Sequence, residues 1–356
     1  MVDSEVQIRK MKEEEKGEVL AAMRRSFSLL NRLFFSLSPN VLVGERQGEI
    51  LGGIVLKVFK LPQNRKGGLI AWIFTTPEAR GLGLGQRLTE AGIDFFEQQG
   101  CQEIFASVEG NNTSSSKLFA TRNFGIISPG EQFRRYGLKT LALWFNTAHY
   151  FDVGHFLWVK PTPAGKETPF WQFWGTIIVT ALIWLLMTWR NPLGWLTVTG
   201  ATIILFGIRY LGMQVAARWQ GLPVRYRAWE SGFLLSAVIA VVFNGIFLVP
   251  GSLYPVGNDW RYKDLFPQLP RIALAGILSV LLITILTGIS LHFNLLTPGI
   301  SSWVKGIFKV GHLLLIYDTC LPFFPFNCFN GRKVWEWNKP LWIILTLLIL
   351  SLFFLY

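Results

Sequence analysis

The sequence predicts two parts, a mixed α/β domain followed by an all-α polytopic membrane domain. Of the 356 residues, 51% are hydrophobic and only 16% are charged, whereas soluble domains carry about a quarter charged residues. Charges are frequent up to residue 167, and six apolar stretches follow one another beyond it. We therefore expect an integral, multi-pass membrane protein whose partner is the lipid bilayer.

The charge balance indicates the orientation and excludes one class of partner. From residue 168 onward there are 13 Lys and Arg and 5 Asp and Glu, a net charge of +8 (13 − 5) out of +12 for the chain. Basic residues beside apolar spans hold loops on the cytoplasmic side and contact anionic lipids. No basic cluster lies on a soluble face, so we expect no nucleic-acid partner. The chain begins with charged residues and no apolar run, so we expect a cytoplasmic N-terminal domain.

Residues 1–140 alternate between strand-like and helix-like patterns. Val41–Val43 and Glu49–Phe59 are predicted to form a hairpin, turned by Gln47 and Gly48. The remaining predicted elements are a strand at Leu69–Thr75, an amphipathic helix at Gln86–Gln98, a strand at Glu103–Val108, a helix at Ser114–Asn123 and a final strand at Arg134–Leu138. This order predicts a mixed α/β domain over residues 1–140.

Residues 141–168 are predicted to be an aromatic interfacial segment followed by a linker. The aromatic residues are Trp144, Phe145, Tyr150, Phe151, Phe156 and Trp158. Such rings favour the membrane interface, but they also suit a strand that extends the first domain. The sequence leaves both alternatives open. Residues 160–166 contain two prolines and a glycine, which is typical of a linker.

Residues 169–356 are predicted to form the membrane domain. The apolar stretches are Phe170–Trp189, Leu193–Ile208, Gly232–Leu253, Ile272–Leu296, Val304–Phe323 and Leu341–Tyr356. A spanning helix needs about 20 apolar residues, so these stretches predict five or six spans, with re-entrant segments as the alternative for the shorter ones.

A glycine-rich loop is the most informative motif of the chain. Residues 77–85, PEARGLGLG, follow the strand that ends at Thr75 and open the helix that begins at Gln86. Glycines let a pyrophosphate approach the backbone, and the start of a helix offers unpaired N–H groups to it. Arg80 and Arg87 add positive charge. A glycine pattern alone also fits dinucleotide sites, but this loop follows several strands instead of opening a first β-α-β unit.

Two motifs at the correct spacing resemble the GNAT acetyltransferase superfamily. Arg80, Gly83 and Gly85 match its pyrophosphate motif. The matching downstream residues are Val108, Asn112, Ser115, Leu118, Phe119, Asn123 and Phe124. The resemblance implies an α/β GNAT-like mixed sheet, acetyl-CoA as the co-substrate, and a set of residues that hold it. The implied cofactor-binding residues are Phe74, Thr76, Arg80, Gly81, Gly83, Gly85, Gln86, Asn112 and Ser115.

The chain departs from the GNAT pattern at the proton-transfer groups. The family often has a Tyr where this chain has Phe119, and that Tyr hydroxyl protonates the leaving CoA thiolate. No carboxylate lies in the strand Leu69–Thr75, a common place for the general base. Glu109 is the nearest candidate for the base, and the resemblance gives Asn112 a second role in orienting the acceptor. We therefore name Glu109 and Asn112 as the catalytic candidates.

The second half resembles the site-2-type intramembrane metalloproteases without their chemistry. Residues 209–227 resemble the segment around the H-E-L-G-H helix, and residues 329–342 resemble the Leu-Asp-Gly segment. Arg209 and Met213 occupy the two His positions, Tyr210 the Glu position and Asn330 the Asp position. A catalytic zinc needs those ligands and that base, and an Arg cannot lose its proton to become a ligand. We therefore predict a pseudoprotease fold that holds no zinc.

No other group of residues predicts a metal site. His149, Asp152 and His155 have the side chains for one, but their spacing fits no helical face. The three cysteines include no C-x-x-C pair. Asp318 lies in an apolar stretch, where an ionisable group often has a function. Arg209 requires a buried partner that the sequence does not identify.

Three functions compete on this sequence. We favour a membrane-tethered GNAT-type N-acetyltransferase that acetylates an amine acceptor at the membrane, within a membrane-protein complex or outside one. The alternative is a non-catalytic acyl-CoA sensor or assembly scaffold, which Phe119 favours. An intramembrane protease is the third function, and the four altered positions argue against it.

Overall fold

A computed structural model describes residues 6–354 except 151, 164, 166, 167, 258, 259, 324 and 325, and the side chains of residues 30 and 31 are also left out. The linker residues 164, 166 and 167, and Phe151 of the aromatic segment, therefore lie outside the described part. The described strands are β1 (Gln7–Lys10), β2 (Asn40–Arg46), β3 (Glu49–Lys60), β4 (Lys66–Thr75), β5 (Glu103–Glu109), β6 (Gly125–Ile126), β7 (His155–Lys160), β8 (Val224–Arg227) and β9 (Ser252–Pro255).

Helices separate these strands and then dominate the second half. The described α-helices are α1 (Lys16–Ser26), α2 (Leu29–Phe34), α3 (Leu84–Gln98), α4 (Thr113–Ala120), α5 (Pro129–Tyr136), α6 (Thr140–Asn146), α7 (Pro169–Thr188), α8 (Pro192–Trp219), α9 (Phe233–Phe243), α10 (Gln268–His292), α11 (Pro298–Leu315), α12 (Asn330–Trp337) and α13 (Lys339–Ser351). A π-helical turn, Ile316–Cys320, continues α11.

The N-terminal part is built on a seven-stranded mixed sheet with the order β1-β2-β3-β4-β5-β7-β6. β4 and β5 are parallel, and the other neighbours are antiparallel. The predicted mixed α/β GNAT-like sheet is therefore confirmed. The hairpin of β2 and β3 is also confirmed, and Gly48 at its turn has a φ of +83°, a conformation that favours glycine.

The final strand predicted at Arg134–Leu138 is wrong. Helix α5 occupies Pro129–Tyr136, because Pro129 follows Ser128 in the arrangement that starts a helix. The last strand of this sheet in chain order is instead β7, which pairs between β5 and the edge strand β6. The aromatic segment thus contains a strand that extends the first domain, which was one of the two alternatives. Phe156 and Trp158 of this strand are buried in the core of the sheet.

The second half is helical, as predicted, and includes membrane-capable helices. Among the described residues, three helices are long and apolar enough to cross a membrane: α7, α8 and α10. Helices α9 and α13 are apolar but shorter, and α11 carries Lys305 and Lys309. The apolar stretch from Gly232 is helical only as far as Phe243, because Asn244 takes a left-handed conformation (φ +49°) that ends α9.

A small two-stranded sheet of β8 and β9 interrupts the helices of the second half, and the sequence did not predict it. Tyr254 of β9 packs its ring edge-to-face against Phe156 of β7, with 5.0 Å between ring centroids. A Cβ on Gly110, just after β5, would overlap the Tyr254 ring. Trp229, Tyr254 and Phe329 belong to the same buried apolar cluster as the sheet residues. The two halves therefore share a core, and this junction lies beside the carboxyl end of β5.

Candidate functional site

The glycine loop lies between the end of β4 and the start of α3. A short 3-10 helix at Pro77–Ala79 leads into it. Gly81 and Gly83 have φ values of +83° and +72°, so both positions favour glycine, and Gly83 caps the N-terminus of α3. A Cβ on Gly81, Gly83 or Gly85 would meet no atom within 4 Å. The loop therefore presents bare backbone to open space at the positive end of a 15-residue helix.

A wedge opens between β4 and β5 next to this loop. The two strands pair over only four residues, the last being Ile70 opposite Ala106. β4 then continues to Thr75 and β5 to Glu109, so their carboxyl ends separate. The register of β4 with β3 skips Ala71, and such a bulge bends its strand. The strand edges inside the wedge consequently lack a β-ladder partner and can pair with an extended ligand arm.

A cavity of about 600 Å³, called here the wedge cavity, fills the space between these strand ends. Residues 69–73 of β4 and residues 106–109 of β5 line it. Three predicted site residues, Glu109, Asn112 and Ser115, lie on its wall together with Phe119. The fold therefore brings the catalytic candidates and part of the predicted cofactor set to one cavity, at the carboxyl ends of β4 and β5.

Of the nine predicted cofactor residues, Asn112 and Ser115 line the wedge cavity and the other seven do not. Two of those seven, Phe74 and Thr76, lie at the end of β4 and just beyond it. The Phe74 side chain is buried against the rings of Phe27 and Phe35. The Thr76 N–H donates to Leu51 O at 2.9 Å, and the Thr76 carbonyl accepts from the Ala79 N–H at 3.0 Å. These contacts hold the end of β4 in place, and they already occupy the Thr76 backbone groups.

The Asn112 side chain stabilises the start of helix α4 at the wall of the wedge cavity. Its side-chain Oδ1 accepts from the Ser115 backbone N–H at 3.2 Å and from the Ser114 hydroxyl at 2.9 Å, so Asn112 caps α4. Phe119 on the same helix is buried, with its ring 5.1 Å from that of Phe124. An apolar ring therefore stands where the family often has a phenol, and no hydroxyl enters the cavity from this position.

A second cavity of about 680 Å³, called here the junction cavity, lies between the two halves of the chain. Glu109, Asn112 and Asn327 line both cavities, so the two spaces adjoin. The remaining wall of the junction cavity comprises Asn111, Tyr262, Lys263, Phe266, Arg332, Lys333 and Glu336. The wedge cavity is consequently bordered by the second half of the chain on the side of Glu109.

The positions that correspond to a protease zinc site hold a buried ion pair. Arg209 donates from Nε and Nη2 to the Asp318 carboxylate at 2.9 and 3.0 Å, and from Nη1 to Gly251 O at 2.9 Å. Asn330 donates to the same carboxylate from Nδ2 at 2.9 Å and from its backbone N–H at 3.2 Å. Its Nδ2 also lies 3.7 Å from Met213 Sδ. A cation, an anion and their donors therefore fill this core.

Sequence reasoning flagged Arg209 and Asp318 separately and missed that they are partners. The two are 109 positions apart, and local patterns carry no such information. The sequence feature that could have indicated this pair is the presence of two opposite charges in otherwise apolar stretches, since buried charges require pairing. Tyr210, at the position of the protease base, packs instead against the rings of Phe173 and Tyr226.

In the part of the chain that the structure describes, no three or more His, Cys, Asp or Glu side chains gather as metal ligands do. His149, Asp152 and His155 diverge. The His155 ring bonds to Asp152 O, whereas the His149 ring lies between Ser107 and Glu230.

The chain is similar to known acetyltransferases and to a metalloprotease. Residues 9–125 match the family model described as "Acetyltransferase (GNAT) family". The chain is 33% identical over 137 residues to a putative zinc metalloprotease of Methanocaldococcus jannaschii, covering 38% of this chain and 66% of that relative. It is 29% identical over 111 residues to a mycothiol acetyltransferase of Renibacterium salmoninarum, covering 31% of this chain and 32% of the relative.

Solved structures were compared as well. The chain is similar to N-acetylglutamate synthase from Neisseria gonorrhoeae complexed with coenzyme A and N-acetyl-glutamate, at 21% identity and a TM-score of 0.33, over 43% of this chain and 34% of that one. The chain thus spans about two thirds of the metalloprotease relative and a third of the acetyltransferase relative.

Proposed function

We propose that this chain, whose residues 9–125 match the GNAT acetyltransferase family, is a membrane-tethered acetyltransferase that uses acetyl-CoA to acetylate an amine acceptor at the membrane. The domain lies on the cytosolic side, where acetyl-CoA is found. The helices of the second half tether it to the bilayer.

One arrangement carries this proposal: the bare glycine backbone of Gly81, Gly83 and Gly85 follows β4 along the chain, and residues 69–73 of that strand line the wedge cavity. A pyrophosphate at the start of α3 would accept backbone N–H bonds and interact favourably with the helix dipole. An extended pantetheine arm would lie in the wedge and pair with the free edge of β4. The thioester would then reach the cavity wall that Glu109 and Asn112 share.

The junction cavity supplies the route for the acceptor. It adjoins the wedge cavity through Glu109, Asn112 and Asn327, and its far wall comes from the membrane half. An amine that reaches the thioester from this side would approach from the membrane half. This geometry favours an acceptor that is itself anchored at the membrane.

Calorimetric titration of the detergent-purified full chain with acetyl-CoA tests the cofactor site. We expect Gly85→Val to weaken binding at least about 10-fold, a loss of about 1.4 kcal/mol, because its side chain would occupy the space reserved for the pyrophosphate. Gly130→Val is the matched control, since Gly130 is likewise the second residue of its helix and faces open space. Equal affinities in wild type and Gly85→Val would contradict the site.

A non-catalytic acyl-CoA sensor or scaffold is the second candidate, and the buried Phe119 favours it. Both candidates bind acetyl-CoA, but only the first consumes it. Release of CoA thiol in the presence of primary amines distinguishes them, since a sensor binds acetyl-CoA and releases no CoA beyond the rate of spontaneous hydrolysis.

For the membrane half we propose a pseudoprotease scaffold that holds no zinc. The support is the ion pair of Arg209 and Asp318, because its guanidinium lies among the positions where the protease family holds a dication. Met213 and Asn330, at two further positions, would offer a zinc ion a thioether and an amide in place of imidazole and carboxylate. The nearby Asp318 carboxylate is already bound by Arg209 and Asn330.

A further inference from the structure

A hydrogen-bonded chain of three side chains runs from the wedge cavity into the junction between the two halves. Ser107 Oγ lies 3.0 Å from Nδ1 of His149. Nε2 of His149 lies 3.3 Å from Oε1 of Glu230. Ser107 belongs to β5 and lines the wedge cavity, whereas Glu230 immediately precedes α9. This series of hydrogen-bonded side chains therefore begins at the wall of the wedge cavity with Ser107 and ends in the membrane half with Glu230.

The inner members of this hydrogen-bonded series, His149 and Glu230, are fully buried. His149 is 0% exposed and Glu230 is 1% exposed. An ionised carboxylate at that depth is costly unless donors surround it. Gln132 supplies one, donating from Nε2 to Glu230 Oε1 at 3.0 Å and to Ile127 O at 2.9 Å. The carboxylate is therefore held between an amide and an imidazole.

The neighbours of Gln132 fix the direction of the hydrogen bonds. Trp144 Nε1 is 2.6 Å from Gln132 Oε1, and an indole N–H can only donate. The Gln132 amide must then present its oxygen to Trp144 and its nitrogen to Glu230. Oε1 of Glu230 is thereby an acceptor, so Nε2 of His149 donates to it. Nδ1 of His149 is left with a lone pair, which accepts the hydroxyl proton of Ser107.

The three groups are arranged as in sites that activate a hydroxyl. The hydroxyl lies at the cavity wall, an imidazole can take its proton, and a carboxylate orients the imidazole. We propose that Ser107 is a catalytic residue of the acetyl transfer, and that His149 and Glu230 are positioning residues that act through it. The inference rests on the proposed function and deepens it, because it names the groups that move protons there.

The proton path balances as follows. The acceptor ammonium gives a proton to Ser107 Oγ while Ser107 gives its own proton to His149 Nδ1, and the imidazolium pairs with the Glu230 carboxylate. The free amine attacks the acetyl carbon, the C–N bond forms and the C–S bond breaks. The stored proton returns through Ser107 to the CoA thiolate, and the second amine proton leaves to solvent. Ammonium and acetyl-CoA thus give amide, CoA thiol and one proton.

The relay fills two roles that the sequence leaves open. It supplies a general base, and it supplies an acid in place of the hydroxyl that Phe119 lacks. Other titratable groups also face the cavity, and their ionisation contributes to any pH profile. These groups are Lys57, Glu109, Tyr150, Asp152 and His155.

The test uses the full-length protein in detergent, with acetyl-CoA and a panel of primary amines. We expect Ser107→Ala to lower kcat at least about 100-fold, the usual range for positioned acid–base catalysis, with the dissociation constant for acetyl-CoA unchanged. We expect Glu230→Gln to lower kcat at least about 10-fold and to change the pH profile of kcat. Both substitutions retain the shape of the wild-type side chains closely, and unchanged acetyl-CoA binding verifies their folding.

Ser231→Ala is the matched control, because it removes another hydrogen bond across the junction, from Ser231 Oγ to His155 O at 3.3 Å, without touching the relay. Its kcat and pH profile should equal those of the wild type. An active wild type together with an equally active Ser107→Ala would overturn the relay alone. A drop in Glu230→Gln that Ser231→Ala reproduces, with an unaltered pH profile, would do the same. A wild type that binds acetyl-CoA and acetylates no amine would overturn the proposed function as well.

Discussion

The buried ion pair of Arg209 and Asp318 gives the sharpest prediction of stability. The two side chains are 3% and 2% exposed, and the Asp318 carboxylate accepts four hydrogen bonds, two from Arg209 and two from Asn330. In Asp318→Asn the negative charge is lost, and an NH₂ group replaces one acceptor oxygen. The Arg209 guanidinium then keeps Gly251 O and at most one amide oxygen as acceptors, and no negative charge compensates it. Breaking a buried pair in this manner costs about 3–5 kcal/mol.

Equilibrium unfolding in mixed micelles of rising SDS content measures this loss. The double variant Arg209→Leu with Asp318→Asn is the internal control, because it removes the uncompensated cation as well. We expect the double variant to be more stable than Asp318→Asn alone, which gives a large coupling energy in the double-mutant cycle. A loss below about 1 kcal/mol in Asp318→Asn, or strictly additive losses, would refute the pairing as the element that fills this core.

Three further predictions concern the metal, the bilayer and pH. Elemental analysis of the purified protein should find far less than one zinc per chain, and stoichiometric zinc that a chelator removes together with proteolysis would contradict the pseudoprotease scaffold. Alkaline carbonate washing should leave the full chain in the membrane pellet, and its release would contradict spanning by α7, α8 and α10. The pKa of Glu15 is lowered from 4.5 to about 2 by its hydrogen bonds from Arg9, so its contribution to stability is present above pH 4.5 and lost as the pH falls toward 2. Glu15→Gln should therefore show a smaller decline in melting temperature over that window than the wild type, and equal declines would count against the pair.

Local patterns were sufficient for the elements that surround the glycine loop. Strand β4, the loop and helix α3 follow from an apolar run, a glycine cluster and an amphipathic period within about 30 residues. The hairpin of β2 and β3 follows from the turn at Gly48. These elements are set by short-range backbone and side-chain preferences, so the sequence was informative there.

Tertiary partners decided the elements that the sequence missed. The rings of Phe156 and Trp158 fit a membrane interface as well as a sheet, and only the pairing of β7 with β5 buries them. Residues 134–138 were predicted to be a strand, but the helix that starts at Pro129 continues through Tyr136 and includes most of them. Composition does not show where a ring or a charge will find its partner.

In the candidate site, too, some residues could be identified from local sequence patterns and others only from tertiary contacts. Asn112 and Ser115 were identified from motif spacing and Glu109 as the nearest carboxylate to the expected base, and all three line one cavity. The contacts of His149 with Ser107 and with Glu230 join residues 42 and 81 positions apart. Such contacts arise from sheet order and from the docking of the two halves, which no local pattern encodes.

Acetyl transfer by the full chain in lipid vesicles tests the proposed acetyltransferase function. Vesicles that carry primary-amine headgroups, with soluble amines added outside, would be incubated with isotope-labelled acetyl-CoA, and the acetylated products would be identified by mass spectrometry. We expect labelled amide together with equimolar CoA thiol in the wild type and in Gly130→Val, and at least about a 10-fold lower yield in Gly85→Val at limiting acetyl-CoA. Binding of acetyl-CoA with no labelled amide above the protein-free vesicles would contradict the account and leave the sensor as the function of this chain.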